Sequence, residues 1–274
     1  MPIWIAALLG LVEGLTEFLP VSSTGHMILV SSALGLHDDA TKTFEVVVQF
    51  GAMLAVMVHY RELLAKRILG IVHQEPAAMR LAGALLAAFV PTALVGLALH
   101  KKISEHLFKP APVAAALIVG GVVMIIVDRW ASKRPPEKTI TRLEDVTLRH
   151  GFQVGIAQCF SLWPGTSRSM ATIVGGQLSG LSTGTAAEFS FLLAIPIIAA
   201  ATVLDLAKHG KEAFATNDAR ITLAVGFVVT FFVSWAVIGL FIRYLQKRGI
   251  AVFGFYRLVI GVLVFLAMRR AGGS

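Results

Sequence analysis

From Ile221 to Ile242 the chain carries no charged side chain, and the same holds for Leu81–Leu99 and Ala111–Val127. Apolar runs of about 17–25 residues cross the ~30 Å hydrocarbon core of a bilayer as helices. Lipid offers the backbone no hydrogen-bond partners, so each segment must satisfy its own N–H and C=O groups. Three further runs, Phe44–Tyr60, Thr185–Leu204 and Ile250–Met268, are long enough to span although they carry Glu45, Glu188 and Arg257. Composition agrees: the 274 residues are 15% charged, against about 25% in soluble domains. The expected class is an all-α polytopic membrane protein, one integral domain over residues 1–274. No basic segment precedes the first apolar run at Ile3, so no signal peptide is expected. The lone Cys159 allows neither an internal disulfide nor a CxxC metal pair.

Two regions depart from the spanning pattern. Pro2–Leu36 is interrupted at Pro20–Gly25, and Gly151–Leu181 at Pro164–Ser169. Each leaves two apolar segments that cover only about half the hydrocarbon core, which suits a re-entrant pair of short helices. Broken backbone at that depth must be buried in protein or line a cavity. The breaks also resemble each other: Pro20–Thr24 aligns with Pro164–Arg168 at an offset of 144, and Glu45 falls near Glu188 at almost the same offset. The expected architecture is therefore six transmembrane helices plus two re-entrant helix pairs in an inverted-topology repeat. Repeat one covers about 1–130, the linker about 131–148 and repeat two about 149–270. Inversion follows because three spans per repeat is an odd number, and inverted repeats place their site at the midplane where broken helices meet.

The net charge of +8 would suggest nucleic acid in a soluble protein, but here the basic residues sit mostly in short loops between spans. They fit the positive-inside rule and contact with anionic membrane lipids, so no nucleic-acid partner is expected. Thirteen Lys and Arg fall on one side of the expected topology and nine on the other. The richer side is assigned to the cytoplasm, which turns the mouth of the first broken segment outward.

The chemistry lies in the breaks. Glu13 and Glu17 are one helical turn apart on one face. In an apolar setting such a pair implies a bound cation, a shared proton or an Arg partner. The pair sits at the negative end of the first half-helix, where a hard divalent cation with oxygen ligands, Mg²⁺ or Ca²⁺, is suited. Ser22, Ser23, Thr24 and Gly25 precede the second half-helix and offer hydroxyls and free N–H groups to a phosphate, in addition to capping. His26 follows as a candidate base or nucleophile. In the second break Arg168 needs an anionic partner, and its planar fork suits phosphate. The alternative for it is a structural ion pair with a carboxylate of the first repeat. Ser167, Ser169 and Thr172 could cap the helix or donate to the same phosphate. Glu45, Glu188 and Arg257 are supporting candidates, with the two acids open to pairing with Arg168 or Arg257 or to helping hold a metal. P-loop, HExxH and GxSxG motifs are absent.

Glu13-Gly-Leu-Thr-Glu17-Phe-Leu-Pro-Val-Ser-Ser23-Thr-Gly-His26, together with Pro164-Gly-Thr-Ser-Arg168-Ser-Met-Ala-Thr172, resembles the paired motif of the undecaprenyl-diphosphate phosphatases, the bacitracin-resistance family. The resemblance runs over essentially the whole chain. It implies hydrolysis of undecaprenyl diphosphate to undecaprenyl phosphate, which recycles the lipid carrier of cell-wall synthesis. It also implies a bacterial inner-membrane location with the site open to the periplasm. Joined to the residue reading, it gives Arg168 and the helix N–H groups as a diphosphate clamp, and Glu13 and Glu17 as holders of a divalent metal. His26 is then base or nucleophile, with Ser23 or Thr24 as its hydroxyl partner or as an alternative nucleophile. The rival is a secondary transporter or lipid flippase with a midplane anion site, since inverted repeats and broken helices are common there. A non-catalytic scaffold leaves the buried charges unexplained. A homodimer is left open.

Overall fold

The computed structural model describes residues 1–36, 39–107, 109–245 and 247–271, with main chain only at 39–40, 42, 100–102, 104–106, 211–213 and 267–271. The described residues form helices, short 3₁₀ turns and one isolated bridge between Ile140 and Leu181. The first broken region gives α1 (Ile3–Thr16) and α2 (Ser23–Ala33), and the second gives α7 (Leu148–Cys159) and α8 (Arg168–Ser179). Between the pairs lie α3 (Asp39–His59), α4 (Arg61–Val72), α5 (Pro76–Leu107) and α6 (Pro110–Ala131); α9 (Thr183–Ala213), α10 (Asn217–Leu245) and α11 (Ala251–Ala271) complete the chain. Each of the six expected spans coincides with part of one of these helices to within one residue at its ends. Among the described residues four helices are long and apolar enough to cross a membrane, and a fifth crossing results if the bent pair α3–α4 is one span. This is a multi-pass helical membrane protein.

Small residues let the broken helices pack closely on long ones. On α1, a Cβ at Gly10 would stand 2.6 Å from the Gly226 carbonyl oxygen of α10, and Thr230 and Ser234 of α10 donate to Gly10 O (3.1 Å) and Gly14 O (3.4 Å). On α7, a Cβ at Gly155 would stand 2.6 Å from the Ala88 oxygen of α5, and Thr92 of α5 donates to Gly155 O at 3.3 Å. Spacing of small residues by four on one helix, with hydroxyl donors on the facing helix, is a membrane packing mode in which van der Waals contact replaces the hydrophobic drive. α6 packs along α11 and α3 along α9.

Two parts differ from the sequence expectation. The chain past His59 is helical rather than a loop: α4 bends away from α3 by 76° and carries Arg61, Lys66 and Arg67 beside the exposed Ile68, Leu69 and Val72. It is too mixed in composition to read as a span. The stretch about 131–148 is more than a stiff connection. Leu143 and Val146 are buried in the main core, and Glu144 pairs with Arg67 (2.7 Å) and Arg142. Of the outward-side cations, Lys42, Lys101, Lys102, Lys211, Arg269 and Arg270 have side chains outside the described residues.

Candidate active site

Both breaks are built the same way. Ser22 and Ser167 each adopt φ +76°, a costly conformation for a residue with a Cβ, and each caps the helix that follows it. Ser22 Oγ accepts from Gly25 N (3.2 Å), and Ser167 Oγ accepts from Met170 N (3.3 Å). The caps pair Ser22 with Ser167, an offset of 145, so the equivalence around the caps is one residue removed from the offset of 144 read from the sequence. It sets Ser23 opposite Arg168. The N–H groups of Ser23, Thr24, Arg168 and Ser169 have no intrahelical acceptor at these first-turn positions.

Arg257 of α11 holds the two breaks together. It is fully buried and donates to Thr166 O (2.8 Å), Gly165 O (2.8 Å), Ala116 O (3.0 Å), Pro20 O (3.2 Å) and Leu117 O (3.4 Å). This corrects the expectation that it might pair with Glu45 or Glu188: its charge is met by carbonyl dipoles. Ser169, also fully buried, adds a second tie by donating to Leu19 O at 2.9 Å.

The breaks meet at a cavity of about 150 Å³. Glu17, Ser22, Ser23 and Thr24 line it from one side, Ser167 and Arg168 from the other, and Ile197, Ile198 and Ala201 of α9 give it an apolar wall. Glu17 is at its centre, with Oε1 accepting from Arg168 Nη2 (3.0 Å) and Oε2 from Ser23 Oγ (2.6 Å). Arg168 Nη1 donates to Ser190 O at 2.9 Å, and its guanidinium lies 5.8 Å from the centre of the Phe18 ring. Its Nε is buried without an acceptor. Of the two sequence readings of Arg168, the ion pair to the first broken segment is present, and its place in the cavity lining keeps the phosphate reading compatible with it.

Glu13 is fully buried and both its carboxylate oxygens lack a hydrogen bond. Glu17, Glu45 and Gln49 are its polar neighbours. Among the described residues no three His, Cys, Asp or Glu side chains form a metal cluster. Two carboxylates with an amide beside them still fit a hard cation that keeps waters and takes other ligands from substrate phosphates. Glu45 accepts from Ser31 (2.9 Å), and Glu188 lies near Tyr60, away from the cavity lining. Thr172 does not line the cavity; it donates back to Arg168 O (2.8 Å) and pairs with Ser190 Oγ (2.6 Å).

His26 has different partners from those expected. Its Nδ1 lies 2.8 Å from Ser22 O and its Nε2 lies 2.7 Å from the Tyr256 hydroxyl, while Ser23 bonds Glu17 instead. The sequence reading missed Gln49, Ser190 and Tyr256. Gln49 had a signal: an amide one turn after Glu45 inside an apolar run is costly and is rarely incidental.

This pairing of an acidic broken segment with an arginine-bearing one can be compared with known proteins. Residues 6–263 match the family described as bacitracin resistance protein BacA. The chain belongs to that family. An undecaprenyl-diphosphatase of Sorangium cellulosum is 56% identical over 259 residues, 94% of this chain and 84% of that one. Proteins of the same name from Nitrosospira multiformis and Clostridium tetani are each 44% identical, covering 94% and 97% of this chain and 92% and 96% of their own. The family is the one that the paired motif resembles.

Proposed function

We propose that the chain is an undecaprenyl-diphosphatase, a hydrolase that converts undecaprenyl diphosphate to undecaprenyl phosphate and inorganic phosphate. The observation that carries this is the chain Ser23–Glu17–Arg168 in a cavity shared by two helix N-termini: a hydroxyl, its base and an anion clamp. Its relatives' shared name gives the same activity and the same substrate.

The diphosphate enters with its terminal phosphate at the Arg168 guanidinium and the free N–H groups of α2 and α8, and the prenyl chain leaves past Ile197, Ile198 and Ala201. Glu13 and Glu17, with Gln49 beside them, are the residues that would hold a divalent cation, Mg²⁺ or Ca²⁺, whose chemistry there is to neutralise phosphate charge. Ser23 Oγ attacks the terminal phosphorus and gives its proton to Glu17; the phosphoanhydride P–O bond breaks and undecaprenyl phosphate leaves. Water then attacks the phosphoserine, taking the place of the Tyr256 hydroxyl at His26 Nε2 and giving that nitrogen its proton; the Ser23 Oγ–P bond breaks, Ser23 takes its proton back from Glu17, and phosphate leaves. Arg168 and the N–H groups stabilise the charge that develops in both steps.

The same reading places the protein in the bacterial inner membrane with the cavity open to the periplasmic side. α3, α5, α6, α9, α10 and α11 are its six spans, and α1–α2 and α7–α8 are re-entrant pairs of two inverted repeats, about 1–130 and 149–270, joined by a linker of about 131–148. The matched contacts of α1 on α10 and α7 on α5 support that repeat. The test is phosphate release from undecaprenyl diphosphate by purified protein in detergent, with and without chelator. Release that chelator abolishes is expected. No release under any metal condition refutes the reading and favours a transporter.

A further inference from the structure

We infer that Tyr256 is a positioning residue that fixes the tautomer and ring orientation of His26; its functional consequence rests on the proposed role of His26 as a base. A carbonyl oxygen only accepts, so the 2.8 Å contact between His26 Nδ1 and Ser22 O puts the proton on Nδ1. In the neutral ring Nε2 then carries the lone pair, and the Tyr256 hydroxyl 2.7 Å away is its donor. The two rings lie nearly parallel, 7° apart with centres at 5.7 Å, so the phenol constrains the plane of the imidazole as well as its protonation.

The partners that grip the ring come from opposite ends of the chain and share one anchor. α2 packs on α1 and α6 rather than on α11, so the His26–Tyr256 bond ties the first broken segment to the last helix. The residue after Tyr256 is Arg257, which bonds Pro20 O two residues before Ser22. The same dipeptide therefore sets the acceptor at Nδ1, through the loop, and the donor at Nε2 directly. A helix slide that moved one would move the other. Tyr256 is 43% exposed and 0% of Arg257 is, so the phenol can be changed without opening the core.

The test compares the full-length protein with Tyr256→Phe, which keeps the ring and removes the hydroxyl. Detergent samples labelled with ¹⁵N at histidine report the tautomer, with the His26 signal located by its absence from His26→Gln. The wild type should show one Nδ1–H tautomer with a hydrogen-bonded Nε2; in Tyr256→Phe the Nε2 signal should move to the unbonded position and the tautomers mix. Phosphate release should lose kcat by about 10-fold, the size of one lost hydrogen bond, with KM changed by less than about 2-fold. Unchanged ¹⁵N signals overturn the inference whatever happens to kcat. Changed signals with an unchanged kcat overturn its link to catalysis. If the wild type releases no phosphate while the signals still move, the proposed activity fails and the positioning contact stands.

Discussion

Arg257→Lys separates two roles that a buried cation can play. Four of the arginine's five bonds, at 2.8–3.2 Å, reach carbonyls on three segments: Pro20, Gly165–Thr166 and Ala116. Lysine keeps the charge but has three donors on one nitrogen, so it cannot bridge all three segments as the planar guanidinium does. The carbonyls of Ala116 and Leu117 keep their helical bonds inside α6, so the loss falls on the loop carbonyls of Pro20, Gly165 and Thr166. Orphaning one such buried acceptor costs about 1–3 kcal/mol if the loops do not relax. For a chain of this size that is a fall in thermal midpoint of roughly 2–12 °C. Activity should fall further, by about 10²-fold, because the loops that place Ser23 and Arg168 no longer share a fixed point and small misplacements are expensive. The assays are thermal unfolding in detergent and phosphate release at a temperature where both proteins are folded. A lysine variant with the parental midpoint and rate would refute the carbonyl clamp. A variant with the parental midpoint but a large loss of rate would show that the guanidinium acts on substrate.

Ser23→Ala should abolish phosphate release, by about 10²-fold or more, while His26→Gln should form phosphoserine and hydrolyse it slowly; mass spectrometry of a quenched reaction checks for the added phosphate on Ser23. Glu13→Gln should raise the Mg²⁺ concentration needed for half-maximal rate, and an unchanged requirement would remove Glu13 from the metal site. Away from the cavity, hydrogen bonds from Arg67 and Arg142 hold the Glu144 carboxyl below its ordinary value of 4.5. Its folded-state value is depressed, so its contribution to stability is present above about pH 4.5 and is lost as pH falls through the lower folded value. Thermal midpoints measured down the pH scale should drop less steeply below that point in Glu144→Gln than in the parent. The effect is small because the pair is partly exposed.

What was legible in the sequence was set by the solvent. An apolar run that must satisfy its own backbone has one solution, so the long apolar helices and both breaks are readable in the sequence. The Glu17–Arg168 encounter was readable as a need, since each charge required a partner, but the choice of partner was not. The carbonyl clamp of Arg257 was not readable at all. Its acceptors are main-chain atoms of Ala116, Leu117, Gly165, Thr166 and Pro20, and no side-chain pattern marks a carbonyl that a fold will aim inward. Tyr256 was hidden for a similar reason: a tyrosine near a helix end in a membrane protein is ordinary, and only the tertiary arrangement sets it against His26. α4 was missed because Arg61, Lys66 and Arg67 interrupt its apolar positions.

The two breaks, alike in their caps, also differ in a way that makes one site and not two. The glycine pairs Gly10/Gly151 and Gly14/Gly155 set α1 against α7 at an offset of 141, which puts Gln158 where repeat one has Glu17 and Val154 where it has Glu13. The capping serines set α2 against α8 at 145, which puts Arg168 where repeat one has Ser23. Each half therefore lacks what the other supplies: the first keeps the carboxylates and the attacking hydroxyl, the second the cation. Four carboxylates with no guanidinium would disfavour one another's ionisation in a buried place. The difference at these positions gives the meeting of helix ends a polar gradient, from Glu13, buried beside Glu17 and outside the lining, through Glu17 on the lining to Arg168 opposite. A diphosphate needs that arrangement, because the oxygen that attacks and the charge that must be stabilised lie on opposite sides of the same phosphorus. Gln158, whose amide is fully buried without a hydrogen-bond partner, stands three residues after Gly155 as Glu17 stands three after Gly14.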